Sequence, residues 1–260
     1  MTTFVLVPGA FSGAWVWEET AAELAARGHR AVPLTLPGLA ERAAETAGAD
    51  LAGHTAAVGA ALAAAGPQAV LVAHSYGIFP AIGAVDRAPG QVARLVFVDT
   101  GIPEDGESLA DTFPDEGHRD RIRNVPPGGV LPTGDRGALL RPGWGSLAGL
   151  PEAAAERYFE LATPHPVETF RQPVELTGAW RKVPTTGVFC LANGLSLEVA
   201  RMLHAGGEPR FAKLAEPDTS FFELPTGHYP MLQDPAALAG ALISAAEGGG
   251  ARLYPAATAG

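Results

Sequence analysis

The sequence predicts an α/β fold: a mostly parallel sheet with helices on both faces and a long segment inserted before the last strands. Two observations carry this. Short apolar runs rich in β-branched residues alternate with helical patterns through the first hundred residues. Such alternation means a parallel sheet covered on both sides. After Gly101 the alternation lapses, then resumes near residue 185. A gap of about 80 residues is more often a functional lid than a plain loop. The expected organisation is a core of residues 1–101 and 181–260 with a cap over 102–180.

Taken in order, FVLVP (4–8) reads as the first strand and runs into Pro8-Gly9. WVWEETAAELAAR (15–27) sets Trp17 and Leu24 on one helical stripe, and Gly28 is a natural stop. AVPLTLPG (31–38) is the second strand. LAGHTAAVGAALAAA (51–65) follows Asp50, a good N-cap, and ends at Gly66-Pro67. AVLVAHS (69–75) is a strand, residues 76–88 a helix, and RLVFVDTG (94–101) a strand. Pro and Gly cluster through NVPPGGVLPTGDRGALLRPGWG, followed by a helix over 151–162 and then TPHPVETFRQPVEL. Strands resume at TTGVFCLANG (185–194) and SFFELPTG (220–227). A last helix, 235–247, is capped by Asp234, and the tail GGGARLYPAATAG reads as frayed.

The chain has 260 residues, 47% hydrophobic and 18% charged, with a net charge of −10. That length suits one large domain with a well-filled core. A negative surface repels phosphate backbones, so nucleic acid is not an expected partner. No apolar run approaches the ~18 residues of a membrane span, and no signal peptide is read, so a cytoplasmic protein that does not bind membranes is expected. A homodimer is left open. The single cysteine, Cys190 in GVFCLA, excludes an internal disulfide and reads as a buried small hydrophobe. No metal cluster, phosphate loop or nucleotide fingerprint is visible, so no cofactor is implied.

Ala73-His74-Ser75-Tyr76-Gly77 fits small-x-Ser-x-Gly between a buried strand and a helix. Such a turn is tight and strained, and lifts the serine above the C-terminal edge of the sheet. Ser75 could instead merely cap the helix. Three features favour a nucleophile. VLVPGAFSGAW (5–15) supplies a Gly-rich loop whose Ala10 N–H, with that of Tyr76, would form an oxyanion hole. FFELPTGHYPMLQDP (221–235) places His228 after the last strand, on the same edge, where an imidazole can take and return a proton. The order Ser75, acidic candidates, His228 is the third. Of the other histidines, His29 and His54 read as solvated, His118, His165 and His204 as lying in the cap or polar surroundings, and His74 as structural.

The pieces VLVPGAFSGAWVW, AHSYG, LVFVDTGIPEDGESL, TPHPVETFRQPVEL and TGHYPMLQDP together resemble the α/β-hydrolase superfamily. The similarity is greatest to its esterase and hydroxynitrile-lyase branch, which includes plant methyl esterases and bacterial relatives. The resemblance implies the α/β-hydrolase fold, Ser75 as nucleophile, His228 as general base, and Ala10 and Tyr76 as oxyanion donors. Pro8 stands where the family has histidine. The family also places an aspartate shortly after the penultimate strand, where this chain has Asn193. Three readings stand. Asp99, at the end of the preceding strand, serves as the acid. Or Asn193 orients the imidazole. Or Glu198, a water or nothing does.

Against the lyases, no lysine follows His228, and Gly9 stands where they use threonine. An epoxide hydrolase would need an aspartate nucleophile. The expected activity is therefore a serine carboxylic ester hydrolase working through an acyl-enzyme on a small-molecule substrate. Phe11, Tyr76, Trp144 and Tyr229 are candidate aromatic walls, which suits a small apolar or aromatic ester. The alternative is a non-hydrolytic homologue that binds, cleaves or cyclises a natural product.

Overall fold

The computed structural model describes residues 1–143 and 145–254, with residues 209 and 210 described by their backbone only. The first half runs β1 (Thr3–Val7), α1 (Glu18–Ala26), β2 (Arg30–Pro33), α2 (Leu51–Ala65), β3 (Ala69–His74), α3 (Ile78–Arg87) and β4 (Val92–Val98). Next come α4 (Glu116–Asn124), β5 (Val130–Leu131), α5 (Arg136–Leu139), α6 (Glu152–Leu161), β6 (His165–Pro166) and α7 (Glu168–Arg171). The chain closes with β7 (Thr185–Cys190), α8 (Leu197–Ala205), β8 (Thr219–Leu224), α9 (Pro230–Gln233) and α10 (Pro235–Ala246).

Six strands form one sheet in the order β2-β1-β3-β4-β7-β8. Every neighbouring pair is parallel. This is the parallel, helix-covered sheet that the sequence predicts. Alternation along the strands sorts the core into two clusters. Val5, Val7, Leu71, Ala73, Leu95 and Phe97 face α2 and α3. Phe4, Leu6, Val70, Val72, Val96 and Val98 face the other way, where Leu24 of α1 and Leu238 and Leu242 of α10 meet them. Burying each large aliphatic side chain is worth about 1.5–3 kcal/mol. The central strands therefore need apolar residues on both faces, which is why they read as continuous apolar runs.

β1 lies between β2 and β3, so the chain leaves β1 in one direction and returns on its other side. That reversal opens a crevice at the carboxyl ends of β1 and β3. The loop carrying Ala10 and the turn carrying Ser75 both begin there.

Residues 102–180 are not a detached body. Val167, Phe170, Val174 and Trp180 pack into the α2/α3 cluster, and Leu147 and Tyr158 into the opposite one. β5 and β6 pair antiparallel within this segment. Two nine-residue helices, α4 and α8, go unread in the sequence, although each presents one apolar face. The tail is not frayed as far as it is described. Ala251 exchanges two backbone hydrogen bonds with Phe221, at 2.8 and 2.9 Å. Leu253 is buried. The bridge covers part of the exposed edge of β8, which would otherwise present unpaired backbone groups. Among the described residues, no helix is long and apolar enough to cross a membrane.

Asp50 caps α2 as its sequence suggests: its carboxylate accepts from Gly53 N–H at 2.7 Å. Replacing an N-cap aspartate by alanine costs about 1 kcal/mol. D50A should lower the urea midpoint accordingly, and an unchanged midpoint would show that packing alone holds α2.

Candidate active site

Ser75 follows β3 directly and opens a short 3₁₀ turn into α3. Its φ is +50°. A non-glycine residue in the left-handed region costs on the order of 1–3 kcal/mol and persists only where its surroundings enforce it. The enforcement is visible at two glycines. A Cβ on Gly77 would lie 2.6 Å from the Pro8 carbonyl oxygen, and one on Gly9 would lie 2.7 Å from His74 Nδ1 and 3.2 Å from Ser75 Cβ. The loop after β1 thus lies directly against the serine turn, and only small residues allow it. Phe11 (φ +64°) and Asp99 (φ +49°) share the left-handed conformation. The residues directly after β3 and β4 and the loop after β1 are therefore strained, and strain of this kind gathers at functional sites.

His228 follows β8. Its Nδ1 lies 2.7 Å from Asp99 Oδ2, and both side chains are buried. Asp99 is fully enclosed but well served by donors. Cys190 N–H donates to Oδ1 at 3.1 Å, and Asn193 Nδ2 donates to Oδ2 at 2.6 Å. Asn193 also approaches His228 Nδ1 at 3.4 Å. Asp99 is thus the carboxylate that meets the far nitrogen of the imidazole, and Asn193 braces it. With Nδ1 facing a carboxylate, the proton sits on Nδ1 and Nε2 is the nitrogen suited to accept one. His74 Nε2 donates to the carbonyl oxygen of His228 at 2.8 Å, and the two rings are 4.6 Å apart. The residue beside Ser75 therefore holds the backbone of His228, and serine and imidazole share one edge.

Ala10 lies on the loop against the serine turn, and Tyr76 lies in the first turn of its helix. Backbone N–H groups in a first helical turn have no intrahelical acceptor. The Ala10 N–H meets no protein acceptor among the described residues. The aromatic walls divide. Phe11 is half-buried on the loop. The Tyr229 ring is a core side chain: it is 5% exposed, its hydroxyl donates to Tyr158 at 3.2 Å, and it backs His228 edge-on. The Tyr76 ring is likewise enclosed, stacked on Phe170. Trp144 lies outside the described residues. A cleft of about 230 Å³ between the start of α2 and Pro166–Glu168 is lined by neither Ser75 nor His228.

One histidine expectation needs correction. His54 is not solvated but fully buried, with Nδ1 2.7 Å from the Tyr76 hydroxyl and Nε2 2.8 Å from the Pro37 carbonyl. The spacing His54–Val58–Leu62 along the buried face of α2 was a usable signal. His165, within residues 102–180, is buried among aromatic rings. His118 is exposed and pairs with Asp115. His74 is structural, as expected. Cys190 is a buried free thiol whose pKa burial pushes up.

Residues 4–241 match the model of the alpha/beta hydrolase family, so the chain belongs to that family. It is 29% identical over 256 residues to a carbendazim hydrolyzing esterase of Nocardioides sp. (strain SG-4G), covering 92% of this chain and 97% of that protein. Esterase PIR7B of Oryza sativa subsp. japonica is 36% identical over 135 residues, 49% of this chain and 47% of that protein. Among solved structures, an extracellular alpha/beta-hydrolase from a Paenibacillus species superposes with a TM-score of 0.76 at 22% identity, over 95% of this chain and 99% of that one. The Arabidopsis methylesterase MES16 does so at 0.73 and 19%, again over 95% and 99%.

Burial lowers the His54 pKa to about 4. The unfolded chain takes up this proton near pH 6.5 and the folded chain does not. The stabilisation is therefore complete above about pH 6.5 and lost as pH falls toward 4, by a few kcal/mol at most. His74 and His165, also held low by burial, act in the same sense. Urea unfolding at pH 7, 5.5 and 4.5 should show this slope, shallower in H54Q. An equal slope in H54Q would remove His54 from the account.

Proposed function

We propose that this protein is a serine carboxylic ester hydrolase acting on a small apolar or aromatic ester. The observation that carries the reading is the buried Asp99–His228 hydrogen bond at 2.7 Å, on the edge where Ser75 is held in a strained turn. Ser75 Oγ attacks the ester carbonyl while His228 Nε2 takes its proton. Asp99 keeps the imidazole in the tautomer that can accept this proton and stabilises the imidazolium that results. The negative charge on the tetrahedral intermediate rests on the N–H groups of Ala10 and Tyr76. The intermediate collapses, His228 returns the proton to the departing alkoxide, and an acyl-serine remains. Water, deprotonated by His228, then attacks the acyl carbon, and Ser75 leaves with the proton restored.

The relatives support an ester substrate: two of them bear esterase in their names. The segment 102–180 acts as the lid in this reading, with Phe11 as one wall of the acyl site. The case for a non-hydrolytic homologue rested on the missing acid after Cys190. Asp99 takes that place at the imidazole, so nothing now favours that alternative.

A fluorophosphonate should label wild-type protein at Ser75, with turnover of short-chain aryl esters, and S75A should show neither. A wild type that is folded but unlabelled would end the hydrolase reading. D99N should keep its fold and lose about 10⁴-fold in kcat, because the amide favours the wrong tautomer. A loss under tenfold, measured on an aryl ester, would mean that Asp99 does not serve the imidazole.

A further inference from the structure

The loop that carries the oxyanion donor is held by the inserted segment. Phe11 is the contact point. Its N–H donates to His165 Nδ1 at 2.9 Å, and its carbonyl accepts from Thr163 N–H at 3.0 Å. The other end of the Ala10–Phe11 peptide is also tied, since Ser12 Oγ donates to the Ala10 carbonyl at 3.0 Å. Phe11 sits at φ +64°, a conformation it would leave without such restraint.

The segment providing these bonds is built to be stiff. It reads Thr163-Pro164-His165-Pro166. Each proline fixes its own φ and drives the preceding residue to extended backbone. Thr163 Oγ1 accepts from Ala40 N–H at 2.9 Å, which ties the segment to a second loop. The imidazole of His165 is fully buried, with the Tyr76 and Phe170 rings each 4.8 Å away and the Phe11 ring 5.5 Å away. Because Nδ1 receives the Phe11 proton, the ring is neutral with its own proton on Nε2. Nε2 has no hydrogen-bond partner among the described residues. A buried ring nitrogen left without a partner carries a desolvation cost of about 1–3 kcal/mol. A ring retained only for packing could be phenylalanine and avoid that cost.

We propose that His165 is a positioning residue for acyl transfer: through Nδ1 it fixes the Ala10–Phe11 peptide, and so aims the Ala10 N–H at the oxyanion forming on a Ser75-bound substrate. This rests on the ester hydrolase reading above. The insertion thereby does more than cover the site, since it sets the geometry of the donor loop in the core. His165 touches no reacting atom and acts through the backbone of Phe11.

Three substitutions separate positioning from packing. In H165N, Oδ1 stands where Nδ1 stood and can accept from Phe11 N–H. In H165L no acceptor remains, at nearly the same side-chain size. In H165Q the acceptor falls near the Nε2 position, out of line with Phe11, with more of the volume kept. Removing one oxyanion donor costs about 10²–10³-fold in kcat, and misaiming one should cost about 10–100-fold. On an aryl ester, H165L and H165Q should lose that much kcat with KM within about threefold, while H165N stays within about fivefold of wild type. Phosphonate labelling rates should follow the same order. If all three variants fall alike, or none falls, His165 only packs and the proposal is overturned. If H165L does not fold, the comparison of H165N with H165Q decides. A wild type inert to both ester and phosphonate overturns the hydrolase reading and this role with it, and is recognised before any substitution is made.

Discussion

The site depends on one buried hydrogen bond, between Asp99 and His228. A carboxylate taken wholly out of water is strongly disfavoured unless its oxygens are satisfied. The protein meets that requirement with three donors from two sequence regions: the His228 imidazole, and the Asn193 amide and Cys190 N–H at the end of β7. Remove any of them and an enclosed charge is left short. This explains why asparagine, not a second acid, suits position 193. A carboxylate there would face Asp99 at hydrogen-bond distance with no proton between them. The same bond keeps the proton on Nδ1 and leaves Nε2 as the nitrogen of His228 that can accept one.

The second constraint is strain, and it is concentrated. Ser75 and Asp99 directly follow the neighbouring strands β3 and β4, Phe11 lies on the loop after β1 beside them, and each is left-handed. All three stand at the carboxyl edge of adjacent strands. The sheet's central strands are packed on both faces by helices, so their ends cannot relax without disturbing two cores. A rigid platform holds the strained residues Ser75 and Asp99 in place at its edge.

The inserted segment has a double character. It contributes side chains to both core clusters, so it folds with the rest rather than beside it. It also reaches the strained loop after β1 through Thr163 and His165. The bulk of the insertion is polar and rich in proline and glycine. Its stiffest part, the two prolines around His165, is the part that touches the loop against the serine turn.

Much of this was legible in the chain itself. Alternating apolar runs give the strands, Asp50 and Asp234 mark helix starts, and small residues around Ser75 announce a tight turn. His228 after the last strand follows from the same logic, because parallel strands present all their carboxyl ends on one edge. What the sequence could not decide was the acid. Asp99 and Asn193 end adjacent strands, β4 and β7, and both reach the imidazole. Only the folded geometry separates them: Asp99 Oδ2 stands 2.7 Å from His228 Nδ1, Asn193 Nδ2 3.4 Å. His165 was hidden for a related reason: its short motif looks like loop, and its burial comes from rings on other elements. The tail was misread because its two hydrogen bonds are made to an edge strand. Local patterns fixed by backbone sterics and apolar periodicity are determined within a few residues of sequence. Contacts between strand ends, loops and the insertion exist only once packing has brought distant groups within hydrogen-bond reach, and tertiary structure alone decided those.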